Sequence, residues 1–159
     1  MEARFDLMAN PLGAKIGKRF FATSLTLKES GLPATTLELM ELRASQINGC
    51  AWCTNVHTEE LAAAGESPVR INLVAAWRES TVYTDAERAA LALTEEGTRI
   101  ADAHTGVSDA TWAQVREHYD DDQIAALIYL VAMINAANRL GVISRQLGGS
   151  YSHGMFTAK

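Results

Sequence analysis

Hydrophobic positions recur every three to four residues along most of the chain, and strict alternation of apolar and polar residues is nearly absent. The first pattern is typical of amphipathic helices and the second of strands. Gly31-Leu32-Pro33, Gly65 and Gly148-Gly149 interrupt the pattern, as glycine and proline do where helices end. The sequence therefore predicts an all-α fold of about seven helices.

Helix-start signals place the individual helices. Thr35 to Glu38 (TTLE) and Thr84 to Glu87 (TDAE) match the capping box, in which the first and fourth residues satisfy each other's backbone N–H groups. Ser67-Pro68, Ser108 and Asp120 to Asp122 are further start signals. The predicted helices cover about 12–29, Thr35 to Ile47, Cys50 to Ala64, Ser67 to Trp77, Thr84 to about His104, a segment after Ser108, and about Gln123 to Gln146.

The last predicted helix, QIAALIYLVAMINAANRLGVISRQ, is apolar around most of its circumference in its first half, which predicts a buried central helix. Its longest uncharged run, Ile124 to Asn138, is shorter than a bilayer-spanning helix. Asn135, Asn138 and Arg139 share one face of this helix. We interpret these three residues as a buried polar network that fixes helix packing.

Size and charge narrow the class of protein. The 159 residues are most simply one domain covering positions 1–159. The net charge of −5 and the scattered basic residues give no reason to expect nucleic acid or a membrane surface as a partner. The N-terminus carries Glu2 and Asp6 and lacks the apolar core of a signal peptide. We therefore expect a cytoplasmic protein.

The chain has only two cysteines, and both lie in the stretch INGCAWCTNVH, Ile47 to His57. On a helix that begins near Cys50, Cys53 and His57 fall within about 60° of Cys50. The spacing of the two cysteines allows a disulfide within the helix. Because cytoplasmic thiols are kept reduced, a close pair is more often catalytic or metal-binding than a permanent cross-link.

Two effects compete to activate the thiols. Asn48-Gly49 ends one helix, so the positive end of the next helix dipole favours a thiolate at Cys50. His57 lies about 6 Å along the helix axis from Cys53 and about 10 Å from Cys50, which favours Cys53. These considerations leave open which thiol is the more reactive.

The cysteines could also belong to a zinc site or serve only as structural residues, and Glu38 could serve only as a helix cap. Zinc requires four ligands, and beyond the cysteines and His57 only His104, His118 and His153 remain, each in a different segment. The cysteines would otherwise be buried structural residues. Glu38 can complete the capping box that begins at Thr35, and on sequence alone this role is favoured. Glu41, one helical turn later, is an equally available carboxylate.

The segment ELMELRASQINGCAWCTNVH, Glu38 to His57, resembles the active-site signature of the AhpD-like alkylhydroperoxidases in the carboxymuconolactone decarboxylase superfamily. That signature is a glutamate, a cysteine twelve positions later that opens a CxxC pair, and a histidine four residues beyond the pair. VAAWRES, TDAERAALALTE and INAANRLGV resemble the peroxidase-related branch of the superfamily. The resemblance covers most of the chain.

The resemblance implies an all-helical fold that forms dimers, trimers or hexamers, and the reduction of organic hydroperoxides in antioxidant defence. Cys53 resembles the peroxidatic cysteine, Cys50 its resolving partner, and His57 with Glu38 the proton-relay pair. No bound cofactor or metal is implied, and an external dithiol, thioredoxin-like or lipoyl-type reductant restores the cysteines. Trp52 stands where the best-studied members place a histidine. The rival function is a thiol–disulfide oxidoreductase or redox sensor that acts on protein partners.

Overall fold

The computed structural model describes residues 1–103 and 105–155, which form seven α-helices and no β-strand. The helices are α1 Pro11–Leu27, α2 Ala34–Asn48, α3 Ala51–Ala63, α4 Pro68–Leu73, α5 Asp85–Thr98, α6 Asp109–His118 and α7 Asp121–Ser144. Short 3-10 segments follow α1 at Lys28–Ser30 and α4 at Val74–Glu79. The prediction of an all-α fold is confirmed.

Most helix starts lie where the side chains predicted them. The Thr84 hydroxyl accepts the N–H of Glu87, and the Glu87 carboxylate accepts the N–H of Thr84 at 2.8 Å, which completes the predicted capping box of α5. Asp120 forms the same capping box with Gln123 at the start of α7, whereas Ser67 and Ser108 cap α4 and α6 by accepting the N–H of the residue three positions later. Each cap satisfies backbone N–H groups that have no partner inside the helix.

The capping box predicted at the start of α2 is wrong. The helix begins at Ala34, its N-cap is Pro33, and no side chain caps it. Thr35 therefore lies inside the first turn, where its side chain cannot serve as the cap. As a consequence the Glu38 carboxylate is available for a contact outside its own helix.

Two predicted helices are longer than the observed ones. α5 ends at Thr98 rather than near His104, because the Glu96 carboxylate accepts the N–H of Ser108 at 2.6 Å and draws the chain back towards the start of α6. His104 itself lies outside the described residues. The helix predicted to reach Trp77 ends earlier, as α4, where the chain tightens into the second 3-10 segment.

The core is organised around α2, which packs against α3, α5 and α7. Leu39, Met40 and Leu42 of α2 are almost completely buried. The prediction of α7 as the buried central helix is correct for one face only: one stripe of α7 packs in the core, whereas Tyr129 and Ile143 are 62% and 69% exposed. The central position therefore belongs to the helix that leads into the cysteines.

By length and composition α7 is the one helix among the described residues that is apolar enough to cross a membrane, with a mean hydropathy of 1.6. It is longer than the uncharged run counted from the sequence. The buried stripe of α7 contributes Leu127 and Leu130 to the hydrophobic core shared with α2, α5 and α6. A core helix of a globular domain has the same composition.

A polar network joins the end of α2 to the middle of α7. The Asn48 amide donates to Asn135 Oδ1 at 3.0 Å and to Asn138 Oδ1 at 2.9 Å. Asn138, which is fully buried, donates to Ser45 Oγ at 3.0 Å. Arg139 is exposed and donates to the backbone of Asn135. The network fixes the position of the residue that directly precedes the Gly49-Cys50 turn.

Candidate redox site

The cysteines lie at a helix start that local sequence creates. Gly49 ends α2 in the left-handed conformation with φ of 66°, which glycine adopts without steric cost. Cys50 is then the N-cap of α3, and its sulfur accepts the N–H of Cys53 at 3.3 Å. The predicted helix break is therefore present, and Cys50 has both a backbone hydrogen bond and the positive helix end beside its sulfur.

Cys50 and Cys53 form a disulfide with their Cα atoms 5.4 Å apart. The exposed fractions are 1% for Cys50 and 6% for Cys53, so both are buried within this chain. The pair closes inside the first turn of α3 without unwinding it, as the spacing predicts.

Gly141 of α7 makes this burial possible. A Cβ atom built on Gly141 would lie 2.8 Å from Cys50 Sγ and 3.6 Å from Cys53 Sγ. Carbon and sulfur do not approach to 2.8 Å without displacement of one of them. The absence of a side chain at position 141 therefore lets α7 lie directly against the disulfide.

His57 lies one helical turn after Cys53 and contacts two carboxylates from α2. Its Nδ1 is 2.8 Å from Glu38 Oε2, within hydrogen-bond distance, and 3.5 Å from Glu41 Oε2. The exposed fractions of the three side chains are 12% for His57, 14% for Glu38 and 18% for Glu41. The structure thus brings Glu38 and His57 together, as the family resemblance implies, and adds Glu41 as a third member.

Burial and mutual charge shift the pKa values of this cluster. Burial lowers the pKa of His57, but the negative charge of Glu41 and the hydrogen bond to Glu38 more than offset this effect, so its pKa is raised. The pKa of Glu41 is raised to about 7, because burial and the negative charge of Glu38 together outweigh the opposing positive charges of His57 and Lys28. An imidazole and a carboxyl group whose pKa values are both raised therefore lie side by side in this cluster.

Glu38, Glu41 and His57 could also hold a cation. Among residues 1–103 and 105–155, they are the only three histidine, cysteine or acidic side chains that lie close enough together to share one. One ligand atom from each of Glu38, Glu41 and His57 lies within 4.8 Å of the others. The imidazole nitrogen that faces both carboxylates is already engaged with Glu38 at 2.8 Å. Of the other histidines among the described residues, His118 ends α6 and His153 contacts Glu60, so neither joins this cluster.

Residues 148–155, which we call the C-terminal strap, lie across α3 beside the cysteines. Asn55 Oδ1 accepts the N–H groups of Gly149 at 2.8 Å and Tyr151 at 3.0 Å, and the Asn55 amide donates to the Tyr151 carbonyl. The Tyr151 ring packs edge-on against Trp52 with 5.8 Å between ring centroids. Gly148 lies so close to Ala51 that a Cβ atom would come within 2.5 Å of the Ala51 carbonyl oxygen. The strap therefore covers the outer side of the helix start.

Glu60 ties the strap to the face of α3 that carries His57. Its carboxylate accepts a hydrogen bond from the Tyr151 hydroxyl and lies 2.9 Å from His153 Nδ1. Burial raises the pKa of Glu60, but these two hydrogen bonds more than offset it, so its pKa is lowered. The negative charge of Glu60 also contributes to the raised pKa of His57.

Sequence reasoning missed three features of this site. On sequence alone Glu41 is an alternative to Glu38, and its position one turn along α2 is the signal that the two can act together. Gly141 and the C-terminal strap reach the cysteines through tertiary contacts across about 90 residues of chain, for which the local sequence gives no signal.

Comparison with known proteins finds relatives of this sequence. Residues 14–96 match the sequence profile of the carboxymuconolactone decarboxylase family. The uncharacterized protein YdfG of Bacillus subtilis is 40% identical over 115 residues, which are 72% of this chain and 77% of that protein.

Solved structures show the same fold. A protein of unknown function from Agrobacterium tumefaciens, provisionally named an antioxidant defence protein AhpD, superposes with a TM-score of 0.85 and 35% identity over 94% of this chain and 100% of that one. An uncharacterized peroxidase-related protein from Silicibacter sp. TM1040 superposes with a TM-score of 0.71 over 97% of this chain and 95% of that one. At 18% identity, this second likeness concerns the fold alone.

Proposed function

Because this chain belongs to the carboxymuconolactone decarboxylase family and is AhpD-like, we propose that it is a thiol-dependent peroxidase that reduces organic hydroperoxides. One observation carries the proposal: the Cys50–Cys53 disulfide opens the helix on which His57 lies, and His57 is hydrogen-bonded to the Glu38 carboxylate. The arrangement supplies a dithiol, a base and a group that orients the base.

The orientation of the imidazole determines the role of each nitrogen. Since Nδ1 of His57 donates to Glu38 in the neutral tautomer, Nε2 is the nitrogen left to accept a proton. In the reduced protein this nitrogen takes the proton of the Cys53 thiol, directly or through one water molecule. Glu38 then stabilises the imidazolium that forms.

The reaction proceeds in two steps. The Cys53 thiolate attacks the terminal oxygen of the hydroperoxide, so that an S–O bond forms, the O–O bond breaks, and the alkoxide leaves with the proton held by His57. The Cys50 thiol then attacks the sulfenic acid at Cys53: the S–S bond forms and the hydroxyl group leaves with the Cys50 proton as water. The product is the disulfide seen in this structure.

Turnover requires two electrons and two protons from outside the chain. We propose that a cytoplasmic dithiol, either thioredoxin-like or lipoyl-type, supplies them by thiol–disulfide exchange, without a resident cofactor or metal.

We also propose that the protein acts as a homo-oligomer. α1 supports this, because Leu12, Ile16, Phe21 and Leu25 on it are between 47% and 65% exposed. Apolar side chains exposed along one helix are typical of a contact surface. Light scattering after size-exclusion chromatography measures the number of subunits, and a monomer would contradict this part of the proposal.

Stopped-flow oxidation of the reduced protein by cumene hydroperoxide tests the peroxidase function. Cys53→Ser should abolish turnover, whereas Cys50→Ser should accumulate a sulfenic acid that dimedone traps. His57→Asn should slow the first step, and His118→Asn, at an exposed histidine on α6, is the matched control. Equal reactivity of Cys53→Ser and the parent protein would overturn the assignment.

One observation favours the rival function of a thiol–disulfide oxidoreductase acting on proteins. Trp52 lies between the cysteines and packs on Tyr151, so an aromatic pair borders the helix start where a protein partner would bind. This function predicts that peroxide oxidises the reduced protein no faster than it oxidises free cysteine, while disulfide exchange with a thioredoxin-like protein is fast.

A further inference from the structure

Glu41 contacts the same imidazole nitrogen as Glu38, and the proposed reaction does not use it. Its Oε2 is 3.5 Å from His57 Nδ1, and its side chain is only 18% exposed. The two glutamates lie one turn apart on α2 and direct their carboxylates towards one residue of α3. A single N–H cannot hydrogen-bond equally well to both.

The charges around Glu41 determine what it can do. Glu38 on its own helix and His57 on α3 lie beside it, and Lys28 from the 3-10 segment after α1 is the further charged group that acts on it. Glu60 acts on the cluster through His57. With both carboxylates ionised and the imidazole protonated, the buried cluster would carry a net negative charge, which burial disfavours. Loss or gain of a proton at Glu41 therefore changes the electrostatic potential at the His57 imidazole.

We propose that Glu41 is a third member of the proton relay, and that its ionisation makes His57 a stronger base. This inference depends on the proposed peroxidase function for its role in turnover. Glu41 acts through His57 rather than on the hydroperoxide, and it is a positioning and tuning residue. Of the two α2 carboxylates, only Glu38 stabilises the imidazolium while Glu41 is protonated. Once Glu41 has lost its proton, both α2 carboxylates stabilise the imidazolium, and the thiol proton moves to His57 more readily.

The proton balance follows from this arrangement. The proton that His57 takes from the Cys53 thiol stays on the His57–Glu38–Glu41 cluster while the S–O bond forms. It then leaves with the alkoxide as the alcohol. The cluster returns to its starting protonation state, so each turnover requires no further proton from Glu41.

Carboxyl-carbon NMR titration of the full-length, disulfide-bonded protein tests the inference without peroxide. We expect one glutamate carboxyl resonance to titrate near neutral pH and to be absent from Glu41→Gln, which assigns it. The pKa of His57, followed by its ring resonances, should fall in Glu41→Gln, because a negative charge beside the imidazole has been removed. Glu117→Gln, at an exposed position on α6, should leave both titrations unchanged.

Lys28→Ala tests the same coupling without altering the cluster itself. Because Lys28 lowers the pKa of Glu41, its removal should move the carboxyl titration to higher pH. This variant keeps the test decisive if Glu41→Gln does not fold, since Lys28 is exposed. A carboxyl group at position 41 that titrates with ordinary glutamates, or a His57 titration indifferent to Glu41→Gln, would overturn the inference.

Peroxide kinetics then separate this inference from the function on which it rests. The rising limb of the pH–rate profile for Cys53 oxidation should move to lower pH by about one unit in Glu41→Gln, with a lower plateau. If the parent protein does not reduce cumene hydroperoxide, the proposed function fails, whereas the NMR titrations still decide the role of Glu41. If the parent protein turns over and Glu41→Gln has the same profile, only the inference about Glu41 fails.

Discussion

Replacing Gly141 with alanine should place a methyl group against the disulfide. The added Cβ would lie 2.8 Å from Cys50 Sγ and 3.5 Å from the side-chain oxygen of Gln146, so α7 or the sulfur has to move. The expected effect is destabilisation of the oxidised protein relative to a glycine-to-alanine change elsewhere in a helix. Gly17→Ala in α1 is the matched control, because the new Cβ there meets only the flexible side chain of Met8.

The magnitude follows from two opposing terms. Alanine is favoured over glycine inside a helix by about 1 kcal/mol, and this gain applies to both variants. Overpacking of a tight core site costs about 1–3 kcal/mol and applies to Gly141→Ala alone. At about 3 °C per kcal/mol for a chain of this size, the Tm of Gly141→Ala should lie about 3–9 °C below that of Gly17→Ala.

Differential scanning calorimetry of both variants in the oxidised state measures this difference. Repeating the scans on the reduced protein, with both cysteines as unmodified thiols, should give a smaller difference in Tm between the two variants. A free Cys50 side chain can rotate away from position 141. If Gly141→Ala raises the Tm as much as Gly17→Ala does, the sulfur atoms do not lie against α7 and the packing argument is refuted.

Three further predictions concern the strap, the polar network and pH. Asn55→Ala should release the C-terminal strap and speed reduction of the disulfide by dithiothreitol about threefold to tenfold. Asn72→Ala, at an exposed position, should be reduced at the parent rate. Equal reduction rates for Asn55→Ala and the parent protein would show that the strap does not limit access to the disulfide. Asn138→Ala should lower the free energy of unfolding, measured in urea, by about 2–4 kcal/mol, because it opens a cavity and leaves buried polar groups without their partner. A loss below about 1 kcal/mol would contradict the structural role of the network. Because the folded-state pKa values of Glu41 and His57 are both raised, the stability they confer is complete at low pH. This stability is lost as pH rises, from about 4.5 through 7 for Glu41 and through the raised pKa of His57 for the imidazole. Glu41→Gln should flatten this decline in urea titrations at a series of pH values, and an unchanged slope would exclude the coupling.

The features of the fold that follow from local chemistry could be predicted from the sequence. Asn48-Gly49 breaks the chain because glycine accepts the left-handed conformation, and this alone places Cys50 at a helix start. The caps at Thr84 and Asp120 were equally predictable, since each depends on residues three positions apart. The position of His57 on the face of Cys53 follows from helix geometry.

The remaining parts of the site depend on contacts between distant segments. The sequence at Thr35 is compatible with a cap, and only the start of α2 at Ala34 releases Glu38 for His57. Gly141 has no signal of its own in an apolar helix, because its importance lies in what a side chain there would strike. The hydrogen bonds between Asn55 and the strap join residues 94 and 96 positions apart.

The edge-on contact between Trp52 and Tyr151 has a practical consequence. Trp52 directly precedes Cys53, and its ring lies against the Tyr151 ring of the C-terminal strap. The indole emission therefore changes when the strap moves and the tyrosine ring leaves the indole. The protein carries an optical reporter beside the helix start, so release of the strap can be followed in real time without a dye.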